Sequence, residues 1–499
     1  MDIVFSTFNA RYSHSSLALR CLRANLNALH DQSVIVEFDN RLSPQAAAEK
    51  LLTHNPTVIL FSVYIWNLTV TAETVAILRT LRPELKIIIG GPEVSYEYNN
   101  LTLFHTADHL VCGEGERVIE TLCQTLLSEK SRQDAGDTSS VPQASSLPKV
   151  ITAPPANLKT VALPYNEYTT EDIAHRRIYV ESSRGCPFLC EYCLSSLEAG
   201  VRFFPPERIF PEFGKLIERG VRIFKFLDRS FNINAAHAAA VLRFFLENRR
   251  DGMMLHLEWE PDHLPPTLEE LIAKAPPGFL QLEVGVQTFN PEVAERIKRP
   301  LHAEQVEAHI RKLAALPSVH LHADLIAGLP GEPIESIAAG FDRLHACGPD
   351  EIQLGILKKL RGAPIARHDT EWQMIYNCSP PYDVLQTSTL SATELQQIRR
   401  FARYWDITVN NGRFPHSAPL IWQNQPSVFA AFMEWSEWLY AQTHTTYGFT
   451  PAQLAQRLEQ FLTETRGLNA KTVRHAIEAD LARQSAGAKG MERQTRKKN

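Results

Sequence analysis

Residues 178–193 read Ile178-Tyr179-Val180-Glu181-Ser182-Ser183-Arg184-Gly185-Cys186-Pro187-Phe188-Leu189-Cys190-Glu191-Tyr192-Cys193. The apolar start, Ile178–Ser182, predicts a strand. A tight loop follows, with three thiols separated by three and then two residues. Thiolates at that spacing suit three corners of a 4Fe–4S cube. The fourth iron then lacks a protein ligand and is open to the amino and carboxylate groups of a small molecule. An electron from such a cluster can break a sulfonium bond in that molecule. Two plainer readings exist: three unrelated buried cysteines, or a structural zinc site completed by a distant histidine, because closed zinc sites take four ligands.

Outward from this loop the chain alternates strand and helix patterns. Arg222–Leu227, Leu255–Trp259, Leu280–Val286, His320–Ile326 and Glu351–Ile356 read as further strands. Between the first two strands, Ile209, Phe213, Leu216 and Ile217 recur at helical spacing and Gly220 follows. Six strands, each followed by a helix or loop, predict a partial parallel β/α barrel, with an open sheet as the alternative. Upstream, Asp2–Thr7, Val34–Phe38, Thr57–Val63, Leu85–Ile89 and Leu110–Cys112 read as strands. Helical patterns at Leu17–Leu29, Pro44–Leu52, Val70–Leu81 and Glu116–Leu127 interleave with them. Five βα units predict a doubly wound, Rossmann-like parallel sheet. Ser128–Pro148 is polar and reads as a linker. Beyond Ile365 the strand signal fades, and helices are expected at Ala392–Trp405, Pro451–Thr463 and Ala470–Arg483. The chain is thus read as α/β, with residues 1–130 the doubly wound domain and 131–170 a linker and flexible loop. Residues 171–400 are the barrel, 401–484 a mostly helical extension and 485–499 a disordered basic tail.

Bulk properties agree with a globular chain. The 499 residues suggest about three domains at roughly 150 residues each. Hydrophobic residues make up 44 % and charged residues 21 %, so sizeable cores are within reach. With 51 basic and 56 acidic residues the net charge is −5, which advertises neither a nucleic-acid nor a membrane partner. No basic region precedes a long apolar run at the N-terminus, and no stretch approaches 18 apolar residues. Eight cysteines are too few for a disulfide scaffold. A cytoplasmic protein with reduced thiols is expected.

The cysteine loop resembles the hallmark of the radical S-adenosylmethionine (radical SAM) enzymes, Cys-x3-Cys-x-aromatic-Cys after the first barrel strand, with Tyr192 as the aromatic residue. The resemblance runs from about Ile178 to Ile365. It implies that Cys186, Cys190 and Cys193 hold a 4Fe–4S cluster that reductively cleaves S-adenosylmethionine to a 5′-deoxyadenosyl radical. It also implies roles at other strand ends, where parallel barrels build their sites. Asp228 in Phe226-Leu227-Asp228-Arg229 would meet the methionine ammonium, unless it caps the next helix. Glu258, an acid on an apolar strand, would face the ligand or else form a rim ion pair. Gln287 and Thr288 would reach the ribose. Ile326, in Asp324-Leu325-Ile326-Ala327-Gly328-Leu329-Pro330-Gly331-Glu332, would pack on adenine, and Leu357 would close that site.

A parallel sheet ahead of such a barrel is similar to the cobalamin-binding domain of one radical SAM class. Ser62, the pair Gly90 and Gly91, and Gly113 with Glu114 fall at strand ends where a corrin would dock; a sheet with glycine turns and no ligand is the plain alternative. The Asp-x-His-x-x-Gly signature of many cobalamin proteins is absent. His14 lies at the first strand–helix loop and reads as a helix-entry residue before it reads as a cobalt ligand. The C-terminal segments Tyr382-Asp383-Val384-Leu385 and Asn410-Asn411-Gly412-Arg413-Phe414 resemble the extension of an uncharacterised branch of the class. Its tryptophans are read as core, with a cap over the barrel mouth as the alternative.

The resemblance implies a cobalamin-dependent radical SAM methyltransferase. It would act on an unactivated carbon of a small-molecule substrate, with a reductase or a flavodoxin or ferredoxin as electron donor. One competitor is a methylthiotransferase of tRNA or protein, which needs a second cysteine trio; only Cys21, Cys112 and Cys123 are available. The other is a corrinoid- or metal-binding sensor without enzymatic activity.

Overall fold

A computed structural model describes residues 1–134, 147–198 and 200–496. The sequence begins with strand β1 (Ile3–Asn9), whose seven residues are all buried. Helix α1 (Leu17–Ala24), capped by Ser16, and β2 (Ser33–Asp39) follow. Then come α2 (Pro44–Leu52), β3 (Val58–Ser62), α3 (Leu68–Leu81), β4 (Lys86–Gly90), α4 (Thr102–Thr106), β5 (His109–Gly113) and α5 (Ile119–Asp134). The parallel sheet has the order β2-β1-β3-β4-β5-β6, where β6 is Val150–Ala153. Helices α1 and α5 cover one face through Leu19, Leu122 and Leu126; α2, α3 and α4 cover the other through Leu51, Val75 and Phe104. The strand order reverses between β1 and β3, and the crevice of a doubly wound sheet opens there, at the carboxyl ends.

Three expectations change here. The sheet has six strands, and the sixth lies in the stretch read as a linker. Its four residues, set between Lys149 and Pro154, are too few to show a period. The first helix stops at Ala24, and a 3₁₀ turn at Asn27–Gln32 replaces its expected second half. Asn25 and Asn27 are poor helix formers, and Asn27 takes a positive φ of 44°. The linker residues 135–146 lie outside the described residues.

The short helix α6 (Thr170–His175) leads into β7 (Ile178–Val180). An antiparallel hairpin of β8 (Ser183–Cys186) and β9 (Gly200–Phe203) then interrupts the alternation. Helix α7 (Pro206–Glu218), β10 (Ile223–Phe226), α8 (Ala235–Glu247), β11 (Met254–Trp259) and α9 (Pro266–Ala273) come next. After them follow β12 (Leu280–Gln287), α10 (Pro291–Arg296), α11 (Ala303–Ala314), β13 (Val319–Ala327), α12 (Ile334–Ala346) and β14 (Glu351–Ile356). The second sheet is parallel and strictly sequential, β14-β13-β12-β11-β10-β7. Each crossover joins neighbouring strands, which gives a partial barrel instead of a doubly wound sheet. Along β12 and β13 buried residues alternate with half-buried ones, so Glu283, Gly285, Gln287, His322, Asp324 and Ile326 share the lumen side.

The C-terminal helices are α13 (Ala392–Trp405), α14 (Val428–Thr443), α15 (Pro451–Gln460) and α16 (Ala470–Arg496). Ser391 and Glu394 close a capping box at the start of α13. Helices α13 and α14 pack on α12: Phe341 meets Phe401, Trp405 and Phe429 edge-on, with ring centres 4.8–5.8 Å apart. Trp405 and Trp435 are buried core residues. Asn410 accepts from the Ile352 N–H at 3.1 Å and donates to the Ile352 carbonyl at 2.9 Å. It stands in for the missing next strand at the β14 edge. The helical region therefore starts at Ala392 and shares the barrel's core. The tail read as disordered continues α16 as far as Arg496; alanine, lysine, glutamate and arginine extend a nucleated helix at little cost. Residues 497–499 lie outside the described residues. Among the described residues no helix is long and apolar enough to cross a membrane.

Asp480 fixes the last helix. It is fully buried and accepts from the His416 N–H (3.0 Å), the Ser417 N–H (2.9 Å) and the Ser417 hydroxyl (2.6 Å). Asp480→Ala strands these donors and is expected to cost about 3 kcal/mol in urea unfolding, with Asp480→Asn costing less. An unchanged midpoint for the alanine variant refutes this.

Candidate functional site

Two cavities lie side by side at the carboxyl ends of the two sheets. The first, of about 900 Å³, opens at the switch point of the N-terminal sheet. Ser62, Gly90, Gly91, Gly113 and Glu114 all line it, together with Tyr64, Cys21 and Leu17. Gly91 has φ +111°, and a Cβ there would sit 2.5 Å from the Val63 carbonyl oxygen, so only glycine turns the chain this tightly. Tyr64 stacks flat on Trp66 with ring centres 4.5 Å apart. The barrel closes this cavity with Glu181, Arg184 and Leu227. A broad, mostly apolar cavity with glycine turns along one wall fits a flat macrocycle. No histidine lines it among the described residues: the His14 imidazole instead lies 3.3 Å from the Tyr179 hydroxyl.

The second cavity, of about 670 Å³, is the barrel mouth. Cys186, Cys190, Cys193 and Tyr192 line it with Glu258, Glu283, Gln287 and Asp324. Among the described residues no three His, Cys, Asp or Glu side chains are gathered tightly enough for one metal ion. A closed structural zinc site takes four ligands, whereas this loop brings three thiols to one cavity. Three thiols open to one cavity suit a cube, whose corners stand further apart.

The loop is held firmly. Gly185, at φ +91°, precedes Cys186 where a Cβ would lie 2.2 Å from the Gly200 carbonyl oxygen. The Glu191 N–H donates to the Ile297 carbonyl (3.0 Å), and the Glu191 carbonyl accepts from Ile365 N–H (2.9 Å). Its buried carboxylate meets His368 (2.8 Å) and Arg367 (2.6 Å). Arg299 stacks on Phe188 at 5.0 Å and bonds Glu260 (2.8 Å) and the Gly285 carbonyl (2.9 Å), fastening the loop to two strand ends.

The polar lining is uneven in charge. His256, at 2.8 Å, together with Lys225 holds the Glu283 carboxyl down at about 2. Burial pushes the Glu258 and Asp324 carboxyls up, opposed by Arg229 and His322 respectively. Gln287 sits at φ +71° on a bulge where the pairing of β12 with β13 shifts. A non-glycine residue in that conformation is strained, and bulges re-aim side chains.

Four expected residues stand elsewhere. Asp228 is buried and all its bonds run to its own neighbourhood: Ser182 N–H (2.9 Å), Ser182 hydroxyl (2.7 Å) and Ser183 hydroxyl (2.6 Å). It braces the strand that leads to Cys186 and does not line the cavity. Ile326 lies on the lumen side but outside the cavity wall, and Leu357 is a core residue. The sequence reading missed Arg184 and Glu181 in the first cavity and Arg229, Arg299, Glu283 and Asp324 in the second. Glu283 and Asp324 were recoverable, since each lies an even number of residues from a nominated position on its strand. The arginines had no local signal.

Thr288 points away from the mouth and donates to Glu332 at 2.5 Å. Burial lifts the Glu332 carboxyl to about 7, and its second oxygen has no partner. A carboxyl raised on folding binds its proton more tightly in the native state. Its stabilisation is complete below pH about 4.5 and is lost as pH rises through about 7, a loss of about 3 kcal/mol. Glu332→Gln is expected to remove that part of the decline in urea-unfolding stability between about pH 5 and about pH 8. An undiminished decline in the variant refutes the assignment.

Comparison with known proteins agrees with this geometry. The B12 binding domain family matches residues 4–123, the Radical SAM superfamily residues 180–344, and a protein of unknown function (DUF4080) residues 370–498. An uncharacterized methyltransferase of Pyrococcus horikoshii is 25 % identical over 339 residues, covering 65 % of this chain and 71 % of that one. The cobalamin-dependent radical SAM methyltransferase TokK of Streptomyces tokunonensis is 26 % identical over 337 residues. That match covers 60 % of this chain but only 47 % of TokK. The structure of the radical S-adenosylmethionine methyltransferase TsrM from Kitasatospora setae, with cobalamin and a 4Fe–4S cluster bound, superposes with a TM-score of 0.59 at 16 % identity. It covers 96 % of this chain and 100 % of TsrM, a likeness of fold. With a three-cysteine loop at the mouth of a sequential half-barrel and a glycine-walled cavity on the sheet before it, the chain joins an N-terminal B12 binding domain to a domain of the Radical SAM superfamily.

Proposed function

We propose that this protein is a cobalamin-dependent methyltransferase acting on an unactivated carbon of a small molecule. The observation that carries the reading is that two segments run from the lining of one cavity to that of the other. Arg184 lines the first and Cys186 the second; Leu227 lines the first and Arg229 the second. Bound there, the cluster supplies the electron that cleaves S-adenosylmethionine, and the corrinoid supplies the methyl group.

The chain's own residues bind and orient. Cys186, Cys190 and Cys193 would hold the cluster. Glu258 and Asp324 face a cationic ligand with carboxylates, and the Gln287 carboxamide offers a donor and an acceptor. Ser62, Gly90, Gly91 and Gly113 would let backbone approach the corrin, with Glu114 beside them in the cavity wall. A reductase, flavodoxin or ferredoxin supplies electrons in the cytoplasm under this reading. The methylthiotransferase alternative needs a second cysteine trio. Cys21 packs in the barrel's core, Cys112 against the core under α2 and α3, and Cys123 in the core under α1 and α5, so they do not form one site.

Anaerobic purification with cobalamin, followed by absorption spectra and metal analysis, is expected to give a corrinoid and about four irons per chain. Reduction with S-adenosylmethionine should release 5′-deoxyadenosine, and Cys190→Ala should abolish it. About eight irons would favour the methylthiotransferase reading, and no 5′-deoxyadenosine the sensor. A Cβ at Gly285 would lie 2.3 Å from Gln287 Nε2, so Gly285→Ala should displace the carboxamide. Iron content should hold while S-adenosylmethionine binding weakens about tenfold by calorimetry, the worth of a hydrogen bond or two. Unchanged affinity would remove Gln287 from the binding set.

A further inference from the structure

The hairpin that carries Cys186 has two arginines directly opposite one another, Arg184 on β8 and Arg202 on β9. Like charges across a strand pair repel. Here both guanidiniums reach the same carboxylate, Glu114, on the loop after β5 of the other domain. Arg184 also meets Glu116 of that loop at 2.8 Å and forks onto Glu181 at 2.6 and 2.9 Å. Glu114 in turn accepts from the Ala156 N–H at 2.7 Å, and Arg202 donates to the Ala156 carbonyl at 2.9 Å. The Arg184 side chain is 14 % exposed, Glu116 6 % and Glu181 8 %. Charges this dry are held in one geometry, because breaking either partner leaves the other buried and unpaired.

Gly113, Glu114, Gly115 and Glu116 wall the first cavity, and Arg184 lies there with them. Two residues further on, the same strand ends at Cys186 in the second cavity. The segment between has little freedom: Asp228 braces Ser183, and Gly185 has no room for a Cβ. A shift of the Gly113–Glu116 loop is therefore passed to the hairpin and to the cysteine.

We propose that Arg184, Arg202 and Glu114 are positioning residues that couple occupancy of the corrinoid cavity to the geometry of the cysteine loop. A corrinoid seated against the Gly113–Glu116 loop sets the position of Cys186. This rests on the reading of the two cavities as corrinoid and cluster sites. It adds that the sites communicate, and names the residues through which they do.

The test uses the full-length protein with its cluster reconstituted, with and without hydroxocobalamin. In the wild type, cobalamin is expected to change the g-values of the reduced cluster and shift its midpoint potential. Glu114→Gln keeps the shape of the side chain and removes the charge that offsets both arginines. It should retain the wild-type iron content, and at cobalamin concentrations that saturate it, read by tryptophan quenching, its cluster spectrum should not respond to cobalamin. Should that variant fail to fold, Arg202→Lys, which keeps the charge and loses the fork, should show a diminished response. Its cobalamin affinity, read by tryptophan quenching, should fall on the order of tenfold. A wild-type cluster signal indifferent to cobalamin, or a folded variant that responds like the wild type, overturns the coupling and leaves the cavity assignments standing. A wild type that takes up no corrinoid overturns the underlying reading and the coupling with it.

Discussion

The segment from Glu181 to Cys186 is held on both sides by buried carboxylates. Asp228, at the end of β10, spends its hydrogen bonds on Ser182 and Ser183. Glu114 and Glu116, from the first sheet, and Glu181 from within the segment surround Arg184. Burying so many charged groups is unfavourable unless every partner is in place. The segment therefore has one position, and the cysteine loop inherits it. Each cavity has a wall made from this strap, so their spacing follows from the same constraint.

A second set of contacts ties the C-terminal part of the chain to the same arrangement. Glu93, in the loop after β4, is buried and accepts from the Tyr382 hydroxyl at 2.6 Å and from Arg361 at 3.1 Å. Tyr96 fills the space against Gly362, where a Cβ would lie 2.5 Å from its ring. The loop that shapes the corrin-side cavity is thus gripped by the segment that leaves β14. The helical extension builds on that segment, covers the β14 edge through Asn410 and shares its core with α12. The aromatic residues there pack the side of the barrel, so their number reflects the depth of a core and not a lid.

Much of the architecture was legible locally. Five strands of the first sheet followed from apolar runs, because strands buried on both faces read as continuous hydrophobic stretches; the six of the second followed from short segments in which apolar residues recur, every second residue along β12 and β13. Helices with strong caps, such as α2 behind Ser43 and α13 behind Ser391, had their ends marked by side-chain chemistry. The elements missed include β6, the β8–β9 hairpin, the short helices α4 and α6, and α14. The first two are too short to show a period, and α14 is apolar around much of its circumference, which erases the stripe that reveals a helix. In the site, Tyr192, Glu258 and Gln287 line the barrel mouth, whereas Asp228 and Thr288 turn inward to serines and to Glu332.

The sequence by itself determined the chemistry on offer: three thiols at a fixed short spacing, glycines at strand ends, and an alternation of strands and helices in two series. These are local properties, set by a few neighbouring residues and the periods of the backbone. Only the tertiary structure decided that the two series meet so that Arg184 and Arg202 share Glu114, some 70 and 88 residues away along the chain. Ion pairs between distant segments leave no periodic trace. Their geometry exists only once both sheets have folded and met.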